Sequence, residues 1–275
     1  EGTFDRTGRR WGFNYRLLGM GDTFSARSGF VPRNNMVDAH ALNRLSFYGG
    51  RGATVENLTL FFGPTRIWIY GDFPRRSPVE GNDVARATLQ MRGGWQTSAQ
   101  VRRTFVRFDR AAYRSYTLET ASGARLPFDP PADLSGAIGT TLTVTTPNFR
   151  TFNVKVEVQR SQVPIFPEAA EGRETRAVTN LSVRPTSSVR IELGHTYSRI
   201  ARAHDSSEFA RTIIPRLRID VQPRRSLFVR TIAEYRAERR SRPIDPRGGG
   251  LLFVNGVGSG AGTNRLQVDW LLSYE

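Results

Sequence analysis

Charged side chains recur at every second residue in several segments, and they are the residues of this chain most able to act on a solute. The spacing is clearest at Arg190 and Glu192, and again at Arg216, Arg218 and Asp220. Arginines on a water-filled wall would favour anions, whereas opposite charges on neighbouring strands would pair and brace that wall. Bracing is the favoured interpretation, and selectivity stays open. The candidate residues are Arg16, Lys155, Glu157, Arg190, Glu192, Arg216, Arg218, Asp220, Arg230, Glu234 and Arg236.

Signals for catalysis are weak. The chain has three histidines, His40, His195 and His204, and no HExxH, Gly-x-Ser-x-Gly or phosphate-loop motif. His204 and Asp205 are adjacent, as in the His-Asp pair of some outer-membrane proteases, but a solvated polar loop is the favoured interpretation. We therefore expect no enzyme, no catalytic residues, no metal and no cofactor.

The elements that would position the charged residues are strands. In the segment FNVKVEVQR, Phe152, Val154, Val156 and Val158 alternate with polar residues. This period of two predicts a β-strand with one dry face and one wet face. The dry face could touch a second sheet of a soluble sandwich, or it could touch lipid.

Alternation of this kind predicts about twelve strands and no convincing helix. No run of about 18 apolar residues is present to form a membrane helix. Many of the predicted strands have 9 to 14 residues, which suits a tilted membrane strand. The predicted strands begin near residues 11, 37, 55, 84, 95, 138, 152, 176, 189, 213, 227 and 266.

The connections between these strands alternate between short and long. This alternation is typical of outer-membrane barrels, which have short turns at one end and long loops at the other. A Greek-key sandwich has no reason to keep it. The short connections lie near 49–53, 92–94, 146–148, 185–188 and 222–225. The long ones lie near 20–36, 72–83, 109–137, 159–175, 200–210 and 240–263.

The predicted fold is therefore all-β: an antiparallel up-and-down transmembrane β-barrel of about twelve strands, in one domain over residues 1–275. Twelve is an even number of strands, which permits closure of the barrel. The same number also fits a fragment of a larger barrel that is incomplete at both ends. Aromatic residues near strand ends could form interfacial girdles. The candidates are Trp11, Tyr48, Trp68, Tyr70, Trp95, Tyr197, Tyr235 and Trp270.

The composition and net charge of the chain limit which partners it is expected to bind. The formal net charge is +15, the chain has no cysteine, and Lys155 is the only lysine among 40 basic residues. Such a charge is usual in nucleic-acid-binding proteins, but the arginines are spread through strands and form no compact basic motif. We expect no nucleic acid partner. Arginines at strand ends, such as Arg103 and Arg107, could meet the phosphates of lipopolysaccharide.

Two segments carry a family resemblance: residues 11–35, with Phe24 before a Gly-Phe-Val-Pro-Arg motif, and residues 225–236 together with 264–275. They resemble the barrel region of large bacterial outer-membrane proteins that carry an N-terminal family-9-like carbohydrate-binding domain. The resemblance implies location and fold, because the family has no assigned activity. Here that domain is missing, and the last residue is Glu275 where barrels usually end on an aromatic residue. The loop motif is Gly29, Phe30, Val31, Pro32 and Arg33, and Arg33 is expected to meet a lumen carboxylate.

Three functions stay open at this point. The first is an outer-membrane pore for passive transport of small anionic or saccharide solutes in a Gram-negative bacterium. The second is a blocked barrel that anchors a glycan-binding domain, and the third is a soluble all-β polyanion-binding protein. The expected partners are outer-membrane lipid and lipopolysaccharide, the barrel-assembly machinery, and glycans through the missing domain.

Overall fold

The fold is all-β, with a main sheet of 13 antiparallel strands and a separate sheet of three short strands. The computed structural model describes residues 1–25, 33–120, 122–131, 133–254 and 258–274. Helical structure in this part of the chain is confined to 3-10 turns at Tyr70–Asp72, Arg110–Tyr113 and Phe166–Glu168. None of the described helices is long and apolar enough to cross a membrane.

The main sheet is a meander in which each strand pairs with its neighbours along the chain. Its order is β1-β2-β3-β4-β5-β6-β9-β10-β11-β12-β13-β14-β16. Its strands are β1 (Gly2–Arg6), β2 (Trp11–Met20), β3 (Met36–Tyr48), β4 (Val55–Ile69), β5 (Glu80–Met91), β6 (Trp95–Val106), β9 (Leu134–Thr145), β10 (Phe152–Ile165), β11 (Ala170–Thr186), β12 (Val189–Arg202), β13 (Glu208–Arg224), β14 (Leu227–Arg240) and β16 (Ala261–Tyr274). The three short strands are β7 (Tyr116–Glu119), β8 (Arg125–Pro127) and β15 (Leu252–Val254).

The antiparallel, up-and-down architecture predicted from the sequence is confirmed, with two corrections. The main sheet has 13 strands because β1 precedes the twelve that alternation predicts. β1 is five residues long with one large apolar side chain, Phe4, so alternation could not reveal it. The predicted long connections at 159–175 and 200–210 are short, spanning only 166–169 and 203–207, because β10 to β13 extend well beyond the predicted ends.

Cross-strand register divides the main sheet into two faces. Lys155 of β10 lies opposite Thr145 of β9 and Asn180 of β11, whereas Val156 lies opposite Val144 and Thr179. Because paired residues point to the same side, this register can be followed across the whole sheet. We call the side of Lys155 the polar face and the side of Val156 the apolar face.

The polar face is concave. A single pocket on it is lined by residues of six consecutive strands of the sheet, from Tyr48 of β3 to Glu157 of β10. Strands lie about 4.8 Å apart, so a flat sheet could not bring those strands around one pocket. The sheet is therefore curved around its polar side.

The two edges of the sheet are β1 and β16. β1 pairs with β2 and β16 pairs with β14, and within the described residues the two edge strands are not paired with each other. Every described residue of β16 is exposed, including Trp270 at 77%. Closure of the sheet is therefore not observed in this part of the chain.

The buried core lies at the end of the sheet where the longer connections are, and not between two layers. It contains Val106, Phe108, Tyr113, Phe128, Leu134, Ala137, Ala169 and Leu252. Tyr116 and Leu118 pack against it. We call the structure built from the described residues of the connections 107–133, 166–169, 203–207 and 241–260 the cap.

Candidate functional site

The eleven charged candidate residues lie on the polar face by register, and we call them the charged ladder. Following the paired residues strand by strand from Lys155 leads through β9, β6, β5, β4 and β3 to Arg16 of β2, so all of these positions lie on the polar face. In the other direction it passes through Asn180 and Gly194 to Arg216 and then Glu234.

Five of these residues form a continuous ion-pair network across β12, β13 and β14. Arg190 Nη2 lies 2.7 Å from Glu192 Oε1, and Arg218 Nη1 lies 3.5 Å from Glu192 Oε2. Asp220 accepts from Arg218 Nη2 at 2.7 Å and from Arg230 Nε at 2.8 Å. Opposite charges on adjacent strands brace a wall in this way, and the network neutralises much of the charge that the ladder carries.

Most of the remaining ladder residues are also paired, at longer distances. Arg16 lies 3.5 Å from Asp38, Arg216 lies 3.8 Å from Glu234, and Arg236 lies 3.6 Å from Glu238. Glu157 lies 3.9 Å from Arg176. Lys155 has no carboxylate partner among the described residues.

Lys155 instead joins two arginines that sequence analysis did not single out. It lines a pocket of about 550 Å³ together with Arg44 of β3 and Arg86 of β5. Glu157 is the single carboxylate of that lining, and it is shared with Arg176. The other lining residues are hydroxyls, amides and rings: Ser46, Tyr48, Asn57, Thr59, Phe61, Thr88, Gln90, Gln96, Ser98, Thr143 and Thr145. We call this the basic pocket.

The two additional arginines have neutral partners. Arg44 Nη2 donates to the carbonyl oxygen of Gly8, and the Arg86 guanidinium lies 4.7 Å from the centre of the Phe61 ring. Neither contact removes charge, so the basic pocket keeps an excess of positive charge beside many uncharged hydrogen-bonding groups. Alternation could have revealed Arg86, because Arg86, Thr88 and Gln90 alternate with small or apolar residues.

The cap covers the opposite end of the polar face. β15 pairs with β7 at Leu252 and Leu118, which joins the connection after β14 to the connection after β6. Six strands of the main sheet, β9 to β14, lie between these two connections. Val106 and Ala137 of the buried core lie on the polar face by register, so the cap lies over that end of the polar face.

A buried ion pair holds the cap to the sheet. Glu168 is fully buried and Arg202 is 4% exposed. Arg202 Nη2 donates to Glu168 Oε1 at 2.6 Å and Nε donates to Oε2 at 2.9 Å. The same guanidinium donates to Ser207, Ser241 and the carbonyl oxygen of Arg242. The backbone N–H of Ile244 also donates to Glu168 Oε1 at 3.1 Å. We call this ion pair and its partners the Glu168–Arg202 node. It joins three connections of the cap: 166–169, 203–207 and the one after β14.

Tyr113 forms the aromatic centre of the cap. Its ring packs against Phe108, Tyr116 and Phe128, and its hydroxyl donates to the carbonyl oxygen of Phe166 at 2.7 Å. Burial, reinforced by the nearby Tyr116 and Asp109, raises the pKa of the Tyr113 hydroxyl to about 12. Burial also raises the pKa of Tyr116. The cap therefore favours neutral tyrosines.

The described part of the loop motif lies beside the cap. Arg33 Nη1 donates to Glu80 Oε1 at 2.8 Å, and Glu80 lies on the polar face at the first residue of β5. Both residues line a pocket of about 570 Å³ with Arg107, Arg110, Tyr113 and Phe166 among its other walls. Gly29, Phe30, Val31 and Pro32 lie outside the described residues.

The adjacent His204 and Asp205 have the geometry of a tight turn. His204 Nε2 lies 3.6 Å from Asp205 Oδ2, while Asp205 Oδ1 accepts from the backbone N–H of Ser207 at 2.9 Å and from its hydroxyl at 2.8 Å. The backbone bond from Ser207 is the main cause that lowers the pKa of Asp205. Within the ranges described, no group of three or more His, Cys, Asp or Glu residues is placed to hold a metal.

The aromatic residues predicted to form girdles divide between the faces. Trp11, Trp68, Trp95, Tyr197, Tyr235 and Trp270 lie on the apolar face by register. Tyr48 does not, because it lines the basic pocket and its hydroxyl donates to the carbonyl oxygen of Arg9. Tyr70 lies in a 3-10 turn beyond β4.

Comparison with known proteins gives similarity in structure and none in sequence. The chain is similar to OmpT (in-vitro folded), an outer membrane protein of Vibrio cholerae, with 7% identity and a TM-score of 0.42, over 98% of this chain and 88% of that chain. Neither a family model nor a curated protein matches the sequence. The resemblance to proteins with an N-terminal carbohydrate-binding domain therefore stays a prediction.

Proposed function

We propose that this chain forms a β-barrel wall in the outer membrane of a Gram-negative bacterium, with lipid on its apolar face. The polar face lines a pore for small solutes, with a preference for anions, and the cap restricts one mouth. The observation that carries the proposal is the contrast between the two faces of a single curved sheet.

The apolar face carries rows of aliphatic and aromatic side chains, some exposed and the others half-buried, that have no second layer over them. One row runs from Leu142 through Val158, Ala177 and Tyr197 to Ile213. Leu142 is 50% exposed and Val158 is 45% exposed. Contiguous exposed apolar surface of this extent is rare on soluble monomers. It supports contact with lipid and disfavours a soluble polyanion-binding protein.

The height of these rows suits a bilayer. On β12 this face runs from Val189 to Tyr197, with His195 as a polar side chain within the run, and on β16 the apolar side chains run from Leu266 to Tyr274. Each run covers about 26 Å along the strand at the usual rise per residue. The apolar band of outer-membrane barrels is about 25 Å tall, although strand tilt shortens the height that each run covers.

A membrane setting also requires both sheet edges to be covered. Unpaired backbone groups cost several kcal/mol each in a hydrocarbon environment. β1 and β16 are the edges of the described sheet, so the proposal includes strand partners for both. The barrel-assembly machinery is the partner that we expect to deliver such a sheet to the membrane.

The basic pocket supports the preference for anions. Most of the arginines in the charged ladder are paired with carboxylates. By contrast, Arg44, Arg86 and Lys155 share a single carboxylate, Glu157, which is itself paired with Arg176. Rings of positive side chains select anions in pores. The hydroxyl and amide groups around them could also bind the hydroxyls of a saccharide, so both solute classes stay within the proposal.

Planar-bilayer recording of the protein in a salt gradient tests this function. We expect stepwise currents whose reversal potential favours chloride. Arg44→Gln combined with Arg86→Gln should move the reversal potential towards zero. The matched control is Arg150→Gln with Arg225→Gln, which removes the same charge outside the basic pocket. Equal shifts of the reversal potential in both double variants would show that the basic pocket does not set the preference for anions.

A second candidate function is favoured by the cap. Its buried core and its Glu168–Arg202 node are the marks of a rigid plug, and a plugged barrel would serve as an anchor for a glycan-binding domain on a longer chain. An inserted, folded protein that never conducts would favour this anchor. Under either candidate we propose no enzymatic activity and no cofactor.

A further inference from the structure

Arginines cluster on the apolar face at the end of the sheet where the cap lies. Arg160, Arg199, Arg211 and Arg239 stand at one level of the register on four strands. Arg173 stands one step nearer the cap. All five are exposed. We call these five residues the outer arginine cluster.

Internal ion pairs account for only two of the five arginines. Glu208 is paired with both Arg199, at 3.2 Å, and Arg211. Arg160, Arg173 and Arg239 have no carboxylate partner within the described ranges. Arg199 lies directly opposite Arg211, and Arg211 directly opposite Arg239. Like charges directly opposite one another are destabilising. Glu208 offsets part of this repulsion, and the cluster keeps an excess of positive charge that suits an external anion.

The surroundings of the cluster define what kind of anion fits. Immediately below it lies the apolar row that includes Val158 and Tyr197. A surface depression of about 510 Å³ is lined by Arg160, Arg173 and Arg199, with the hydroxyls of Thr140 and Thr175 and one carboxylate, Glu174, also in its lining. From β10 to β14 the cluster is about 19 Å wide at the usual strand spacing, which exceeds the size of one phosphate.

We propose that the outer arginine cluster binds the phosphates of a lipid headgroup that carries more than one phosphate, with its acyl chains along the apolar rows. Arginine suits this role because its planar guanidinium donates two parallel hydrogen bonds to phosphate. The inference rests on the membrane location proposed above. It adds a defined site, with Arg160, Arg173 and Arg199 at its centre.

The test compares lipids in mixed micelles by native mass spectrometry of the detergent-folded protein. Diphosphoryl lipid A should remain bound, monophosphoryl lipid A should bind more weakly, and phosphatidylcholine should not be retained. The triple variant Arg160→Gln, Arg173→Gln, Arg199→Gln should bind diphosphoryl lipid A about tenfold more weakly or worse. The control triple variant Arg150→Gln, Arg184→Gln, Arg224→Gln removes equal charge at the opposite end and should bind as the wild type does.

The outcomes separate this inference from the proposed function. Flotation of the wild type with phosphatidylcholine vesicles reports insertion without any phosphate-rich lipid. A protein that inserts but binds diphosphoryl lipid A equally in both triple variants would overturn the lipid site alone. Full competition by inorganic phosphate would show that free anion, and not a lipid headgroup, is the ligand. Failure to insert into any vesicle would overturn the membrane location itself.

Discussion

Glu168 is the residue on which the cap depends most. It is fully buried and accepts from Arg202 and from the backbone of Ile244. Glu168→Gln leaves the Arg202 guanidinium buried without its counter-charge, and such a loss costs about 3–5 kcal/mol. We expect hydrogen exchange to accelerate at 241–254 while strands β2 to β6 stay protected.

The control for this variant is an exposed ion pair elsewhere. Arg76 lies 3.5 Å from Asp72, and its side chain is 77% exposed. Asp72→Asn should change stability by about 1 kcal/mol or less. If Glu168→Gln and Asp72→Asn had equally small effects on exchange in the cap, the buried pair would not be what holds it.

Sequence reasoning found some of these residues and could not have found others. The ladder was predictable because strand periodicity alone assigns Arg190, Glu192 and Asp220 to one face. Arg86 was within reach of the same argument. Glu168 and Arg202 were not, because they are 34 positions apart and nothing in the local pattern marks either as buried.

Among the elements, β15 is the strand that joins the connection after β14 to the small sheet of the cap. Leu252 of β15 is fully buried, and it lies opposite Leu118 of β7. Leu252→Ala should destabilise the cap by about 2–5 kcal/mol, since buried leucine truncations leave a cavity. In the pore interpretation we expect higher mean conductance with more open events.

Leu126→Ala is the matched control for the Leu252→Ala truncation. Leu126 lies in β8 of the same small sheet but is 52% exposed, so little packing is lost. Its conductance and exchange should equal those of the wild type. A Leu252→Ala protein with unchanged exchange at 116–119 would show that the small sheet is held by other contacts.

Alkaline pH should loosen the cap through Tyr113. Its pKa is about 12 in the folded protein against an ordinary value of 10.0. Below pH 10 the tyrosine is neutral in both the folded and the unfolded state, so its contribution to stability is fully present. As the pH rises from 10 through 12, the unfolded state loses the proton first, so this contribution is lost.

A tyrosinate absorbance titration checks this prediction. A component that ionises near pH 12 should be present in the wild type and vanish in Tyr113→Phe, and opening of the cap should accompany its ionisation. Tyr235→Phe, which changes a tyrosine on the apolar face, is the comparison. Uniform ionisation of all tyrosines near pH 10 would contradict the burial of Tyr113.

The large strands were predictable and the cap was not, for a physical reason. β2 to β6, β9 to β14 and β16 each show period two over many residues, which alternation detects. β7, β8 and β15 are only three or four residues long, and β15 acquires its partner from a distant part of the chain. β1 likewise depends on pairing with β2.

At the scale of the whole molecule, the two faces should respond differently to the same charge. Val156 lies near the middle of the apolar rows, and Val178 lies on the polar face opposite Glu157. Val156→Arg should destabilise the lipid-inserted protein by about 2–4 kcal/mol. Val178→Arg should have a much smaller effect, because the new cation faces water and a carboxylate. Urea unfolding in vesicles provides the comparison, and equal effects would contradict the assignment of faces.

The most direct test of the membrane location uses the tryptophans. All four of them, Trp11, Trp68, Trp95 and Trp270, lie on the apolar face. The measurement is quenching of tryptophan fluorescence by brominated phosphatidylcholine in vesicles that contain the folded protein. The account predicts strong quenching relative to unbrominated vesicles. Unquenched fluorescence from a folded protein that stays monodisperse without detergent would contradict it.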